Sequence, residues 1–128
     1  MSEFKKTLVL DFDGVCHQYT SGWRGAHVIP DPPVEGLFEF LELVAPHFEI
    51  NIFSSRSNQE GGIEAMQKWF DAYIQQYCEW HNKSWDIALK FPLEKPAAFI
   101  SIDDRALLFT GVWPDLSTLL EFTPWNKK

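Results

Sequence analysis

Two carboxylates stand one residue apart in TLVLDFDGVCHQ, residues 7–18, and a glycine follows them at once. The four residues before Asp11 favour a strand, so Asp11 is expected at the strand's end with its carboxylate projecting beyond the sheet. With an ordinary pKa of about 3.9 it would be ionised at neutral pH and able to attack without a separate base. Asp13 returns to the same side while the chain stays extended, Phe12 turns into the core, and Gly14 permits an abrupt turn. Two more stretches carry complementary groups: SSRSNQ at 54–59 and Asp103-Asp104-Arg105. A carboxylate attacking a phosphate dianion is repelled by it, so positive charge must be supplied. Asp11 and Asp103, with Asp104 near, form an oxygen-rich set suited to Mg²⁺. Ser54 offers a hydroxyl and its loop offers backbone N–H groups to phosphoryl oxygens, and a lysine near the fourth strand would complete the charge balance. The chemistry in prospect is hydrolysis of a phosphate monoester, for which accelerations up to ~10²¹ are known, so the groups must act jointly.

The elements that would position these groups follow from the hydrophobic pattern. Thr7–Leu10 is a short apolar run, expected as a buried parallel strand. Residues 14–33 are rich in Gly, Pro, Ser and His and read as an excursion. PDPPVEG supplies a helix entrance, and Leu37, Phe38, Leu41 and Val44 recur at helical spacing until Pro46. FEINIF, 48–53, is a second strand, and the stripe from Ile63 through Met66, Trp69, Phe70, Tyr73, Ile74 and Tyr77 is a long amphipathic helix facing the core. WDIALKF and AAFISI (97–102) are further strands, DLSTLLEF is a closing helix and TPWNKK a tail. Strands alternating with helices imply a parallel sheet with helices on both faces, a three-layer αβα, Rossmann-like arrangement. Ligands bind beyond the carboxyl ends of such strands, where the three loops would meet.

The 128 residues bound this to one domain, 1–128, with 45% hydrophobic residues, eleven Phe and six Trp for a core. A formal charge of −7 (11 basic against 18 acidic residues) disfavours a large non-specific nucleic-acid surface, which neutralises phosphates with Lys and Arg. The stretch before Asp11 is too short for a secretory or membrane segment, and two distant cysteines make no disulfide framework, so a reduced cytoplasmic setting is the expectation.

DFDGV, IFSSR, a lysine and ISIDDRA, in that order, resemble the motifs of the haloacid-dehalogenase superfamily of phosphohydrolases. KPAAFISIDDRALLFTGVW is also similar to small members of that superfamily, several encoded by phages and bacteria. The resemblance implies Asp11 as nucleophile forming an aspartyl-phosphate, with Asp13 as general acid for the leaving group and then base for water. It implies a raised Asp13 pKa where carboxylates crowd it. Ser54 matches the phosphate-binding position, with Ser55 and Arg56 beside it. Mg²⁺ would be held by Asp11, Asp103 and the backbone carbonyl of Asp13, with Asp104 as second acid. Lys95 matches the Lys-Pro placement of the small members; Lys90, at the third strand's end, is the alternative. Residues 14–33 become a short flap over the site. The gaps after Gly14 and after Ser57 hold no full cap domain, so the expected core is capless, with an open site for a phosphorylated small molecule or the phosphorylated end of a macromolecule.

Other readings compete. Asp-Gly also makes plain turns. An EF-hand does not fit, since the glycine comes fourth and no terminal glutamate follows. Cys16-His17 and Cys78–His81 lack a paired CxxC, so the cysteines are expected to be buried or incidental rather than zinc ligands. Arg56 is either a phosphate contact or solvated, and Arg105 is expected to pair with a nearby acid. Trp23, with Arg24, either stacks on a base or sugar or packs on the flap itself, while Trp113 and Trp125 are expected to pack. A phosphotransferase on the same residues, or a non-catalytic phosphate- or partner-binding module, remains beside the phosphatase.

Overall fold

Buried parallel strands favour apolar side chains: KTLVL ends in a run of them, and FEINI ends in Ile50 and Ile52 with a buried Asn51 between. In the computed structural model, which describes residues 4–127, β1 (Lys6–Leu10) and β2 (Phe48–Ile52) pair in parallel. Leu8 lies opposite Ile50 and Leu10 opposite Ile52. β3 (Leu89–Lys90) lies outside β2, and β4 (Ile100–Ile102) lies on the other side of β1, with Leu10 opposite Ile102. The order is β3-β2-β1-β4. The chain steps outward from β1 to β3 and then returns past its starting point. The direction of winding therefore reverses between β1 and β4, and such a reversal opens a crevice at the carboxyl ends of the strands.

β3 and β4 are shorter than WDIALKF and AAFISI imply, at two and three residues. Pro92 and Pro96 break up the connection between them, because proline has no N–H to give a ladder.

Between β1 and β2, α1 (Leu37–Val44) buries Leu37, Phe38 and Leu41. α2 (Gly62–His81) buries Met66, Trp69 and Phe70 and stops at Asn82, whose left-handed backbone ends the ladder. Both helices join Leu8, Leu10, Phe12, Ile50 and Ile52 in one apolar cluster. These strand residues alternate along β1 and β2, so both helices pack on a single face of the sheet. The long amphipathic stripe is therefore core, as its spacing implied. The third helix, α3 (Leu116–Leu120), has no buried residue, so the second helical layer is not packed down. Trp113, expected to pack, is exposed instead. Among the described residues no helix is long and apolar enough to cross a membrane.

Candidate functional site

Register alone brings the acids together. Leu10 is level with both Ile52 and Ile102, so the residues just beyond them leave the sheet side by side. The Asp11 N–H donates to the Ile102 carbonyl at 3.0 Å, and the Phe53 N–H to the Leu10 carbonyl at 3.1 Å. Phe12 is then driven fully into the core against Trp69 and Phe70. The N–H groups of Cys16 and His17 both close on the Phe12 carbonyl at 2.9 Å, which makes the turn after the acids tight. Gly14 has φ +83°, and a Cβ there would sit 2.2 Å from Asp104 Oδ2. Only glycine lets this turn and Asp104 share the space.

A small cleft of about 160 Å³ lies at this end of the sheet, lined among others by Asp11, Ser54, Ser55, Lys95 and Asp103. Larger hollows lie elsewhere, of about 680 Å³ among Lys5, Glu49, Asp86 and Lys90, and about 1260 Å³ along residues 105–124. Neither contains Asp11, Ser54 or Asp103, so the chemistry is assigned to the smaller one. The two candidate lysines separate here. Lys95 lines the cleft, whereas Lys90 points to the large hollow and pairs with Glu49 at 3.0 Å.

The loop after β2 is wound on its own hydroxyls. Ser54 Oγ accepts the Arg56 N–H at 3.1 Å, and Ser57 Oγ accepts the Ser54 N–H at 3.0 Å. α2 starts hard against this loop. A Cβ on Gly62 would lie 1.8 Å from the Arg56 carbonyl oxygen, so glycine is required there as well.

Carboxylate oxygens of Asp11, Asp103 and Asp104 all lie within 4.8 Å of one another. Asp104 Oδ1 is buried without a hydrogen-bond partner, while Arg105 Nε lies 3.4 Å from Oδ2, the expected pairing. Burial, a hydrogen bond with Asp104 and repulsion from Asp103 and Asp104 push Asp11 up to about 8. The expectation of an ionised Asp11 at neutral pH is therefore corrected for the metal-free protein. Three hard oxygen ligands, one of them buried and unpaired, fit a divalent cation.

Asp13 departs further from expectation. Its carboxylate lies outside that cluster, 2.9 Å from Arg56 Nε and 2.9 Å from His17 Nδ1. Burial pushes it up, but the hydrogen bonds from His17 and Arg56 and the guanidinium charge outweigh burial, so the carboxyl is held below its usual range. The raised Asp13 pKa is thus overturned, because its neighbours are donors rather than carboxylates. On the far edge of the His17 ring, Nε2 accepts the Asp31 N–H at 3.0 Å, which leaves the ring proton on Nδ1, facing Asp13. Asp31 in turn accepts from the Ser21 N–H and hydroxyl at 2.8 and 2.6 Å. Burial raises it, the Ser21 bonds lower it, and the net shift is downward.

Arg56 is not solvated. It is 0% exposed, and its Nη1 donates to the carbonyls of Gly25, Ala26 and Val28 at 2.9–3.1 Å. The flap is thereby bound to the acid turn. Trp23 packs on the guanidinium, 4.8 Å from Cζ to ring centre, so its ring meets the flap's own base. Arg24 is exposed. The tail closes on the same turn: Trp125 Nε1 donates to the Gly14 carbonyl at 2.7 Å and Asn126 Nδ2 to the Gln18 carbonyl at 2.8 Å. Cys16 is buried with its thiol pushed far up by burial and by Asp11 and Asp13, which makes it inert. The sequence offers His17 only beside Cys16 as a zinc ligand and does not single out Asp31; the i, i+4 spacing of Asp13 and His17 is the one local signal for their pairing. No family model, curated protein or solved structure matches this chain.

Proposed function

We propose that this chain is a Mg²⁺-dependent phosphohydrolase of the haloacid-dehalogenase kind, acting on phosphate monoesters through an aspartyl-phosphate on Asp11. The observation that carries the reading is one cleft shared by Asp11, Ser54, Lys95 and Asp103, with a carboxylate oxygen of Asp104 within 4.8 Å of those of Asp11 and Asp103. In this reading the described core completes as a capless three-layer αβα domain.

Asp11, Asp103 and Asp104 would hold the cation, which when bound offsets the negative charge of the carboxylates and of the phosphoryl group. The Ser54 hydroxyl and the Lys95 ammonium bind phosphoryl oxygens and orient phosphorus toward Asp11. Asp11 Oδ attacks phosphorus, the bond to the leaving oxygen breaks, and an acyl phosphate forms on Asp11. Water then attacks phosphorus and releases phosphate, its proton passing to Asp13. Asp13, held ionised by Arg56 and His17, has no proton to donate and, with its pKa lowered, is a weak base for the water. Departure of the first leaving group is therefore unassisted.

The test is turnover of para-nitrophenyl phosphate that requires Mg²⁺ and disappears in Asp11→Asn. A folded wild-type protein inactive on a broad panel of phosphomonoesters refutes the proposal. One observation favours a second reading. With Asp13 committed to Arg56 and His17, the acyl phosphate would persist long enough for transfer to an acceptor other than water. Transfer to an added alcohol in excess of hydrolysis would decide for a phosphotransferase.

A further inference from the structure

Residues 106–122, which follow the sheet, are largely apolar and exposed. β4 is an outer strand, paired only with β1 among the described residues. Ile100 is 50% exposed, although the level residue Leu8 of β1 is buried. Residues of parallel strands are ordinarily covered on both faces. Beyond β4, Leu107, Leu108, Phe109, Trp113, Leu119 and Phe122 surround one hollow of about 1260 Å³. Leu108 is 90% and Trp113 82% exposed. A five-residue helix with no buried side chain has nothing to stabilise it alone. A segment meant to stay in water would be polar and charged, yet residues 106–120 contain a single charged side chain, Asp115.

We infer that the apolar 107–122 arm, with the free edge of β4 that precedes it in the chain, is the contact surface of a twofold dimer of this chain. Three features select a second copy as the occupant. The first is the edge itself. An unpaired strand is completed most directly by another strand, and two β4 edges related by a twofold axis run antiparallel, with Ile100 of each facing Ile102 of the other across Ser101. Two four-stranded sheets then become one of eight. The second feature is area. At about 150–250 Å² for a large side chain, the six around the hollow, 41–90% exposed, leave roughly 700 Å² per copy, close to the ~800 Å² that each partner gives a standard interface. The third is charge. Copies of a chain with net charge −7 repel one another broadly, and this face is where that repulsion is least. The same lack of Lys and Arg disfavours nucleic acid and anionic lipid. The contact stands independently of the catalytic proposal.

The test is the mass in solution of the full chain, by light scattering across a concentration series, for wild type and for Leu108→Glu/Trp113→Glu. Both replaced side chains are exposed, so the variant's circular dichroism should match wild type. The expected result is twice the single-chain mass for wild type and association weakened about thirtyfold or more in the variant. Amide exchange at β4 should also slow as wild-type concentration rises. A wild type of single-chain mass up to about 100 µM overturns the inference, whether the arm is then protected against its own core or binds phosphatidylcholine vesicles. So does a dimer that the double substitution leaves unchanged.

Discussion

Asp11→Asn should make the metal-free protein more stable, by an amount that grows as pH rises. Asp11 is raised from 3.8 to about 8, so the folded state holds a proton that the unfolded chain releases near pH 4. The stability due to that proton is complete below the unfolded pKa and is lost as pH climbs through the folded one. Each unit is worth about 1.4 kcal/mol, so from about pH 5 to about pH 8 the wild type loses roughly 4 kcal/mol that asparagine, which cannot ionise, retains. For a domain of this size that is on the order of 10 °C in Tm. The assay is thermal unfolding of both proteins in EDTA at several pH values in that window, repeated in excess Mg²⁺. In EDTA the gap between variant and wild type should widen with pH. In Mg²⁺ it should shrink or reverse, because a cation bound to the folded state offsets the same repulsion. A pH-independent gap in EDTA, or a gap that ignores Mg²⁺, would refute the account of Asp11, Asp103 and Asp104 as a repelling cluster awaiting a cation.

Lys95→Ala should lower kcat/KM by about 10²-fold or more, as loss of a group that stabilises transferring charge does, while Lys90→Ala should leave it within about twofold; steady-state kinetics decide. Arg56→Met should cost about 3–5 kcal/mol in urea unfolding and expose the flap to proteases, since it strands the Asp13 carboxylate and three carbonyls; an unchanged midpoint would contradict the buried brace. Gly62→Ala should destabilise by about 1–3 kcal/mol, because its methyl would meet the Arg56 carbonyl and force the α2 start off the Ser54–Ser57 loop. Aryl phosphates should be hydrolysed far faster than alkyl phosphates, since Asp13 is held ionised; rates insensitive to the leaving group would show that a proton is being donated after all.

The parallel α/β core was legible because it rests on local pattern. The apolar runs before Asp11 and Phe53 and the helical stripe from Ile63 to Tyr77 each declare their element. A parallel sheet then puts the carboxyl ends of the strands on one side, and the register that levels Leu10 with Ile52 and Ile102 brings the loops together. What stayed hidden depends on contacts between distant segments. Arg56 looks like any arginine in a polar loop, and its burial arises from three carbonyls about thirty residues earlier, which no side-chain pattern advertises. The Asp13 shift follows from that burial and was misjudged with it. Trp125 and Gly14 are 111 positions apart, and nothing in either local sequence indicates their hydrogen bond. β4 is shorter than AAFISI implies because propensity does not register that prolines leave it few ladder partners.

Arg56 holds the flap through main-chain oxygens of Gly25, Ala26 and Val28, so the attachment is blind to most of the side chains the flap carries. Replacements between Tyr19 and Arg24 leave those three anchor points in place, with two exceptions: Trp23, which covers the guanidinium, and Ser21, whose hydroxyl holds Asp31. The fold thus separates the part of the molecule that arranges the acids from a neighbouring stretch free to diversify. A library of flap sequences grafted over an unchanged Asp13–Arg56 brace is a natural route to new binding preferences, and selection in nature has the same latitude.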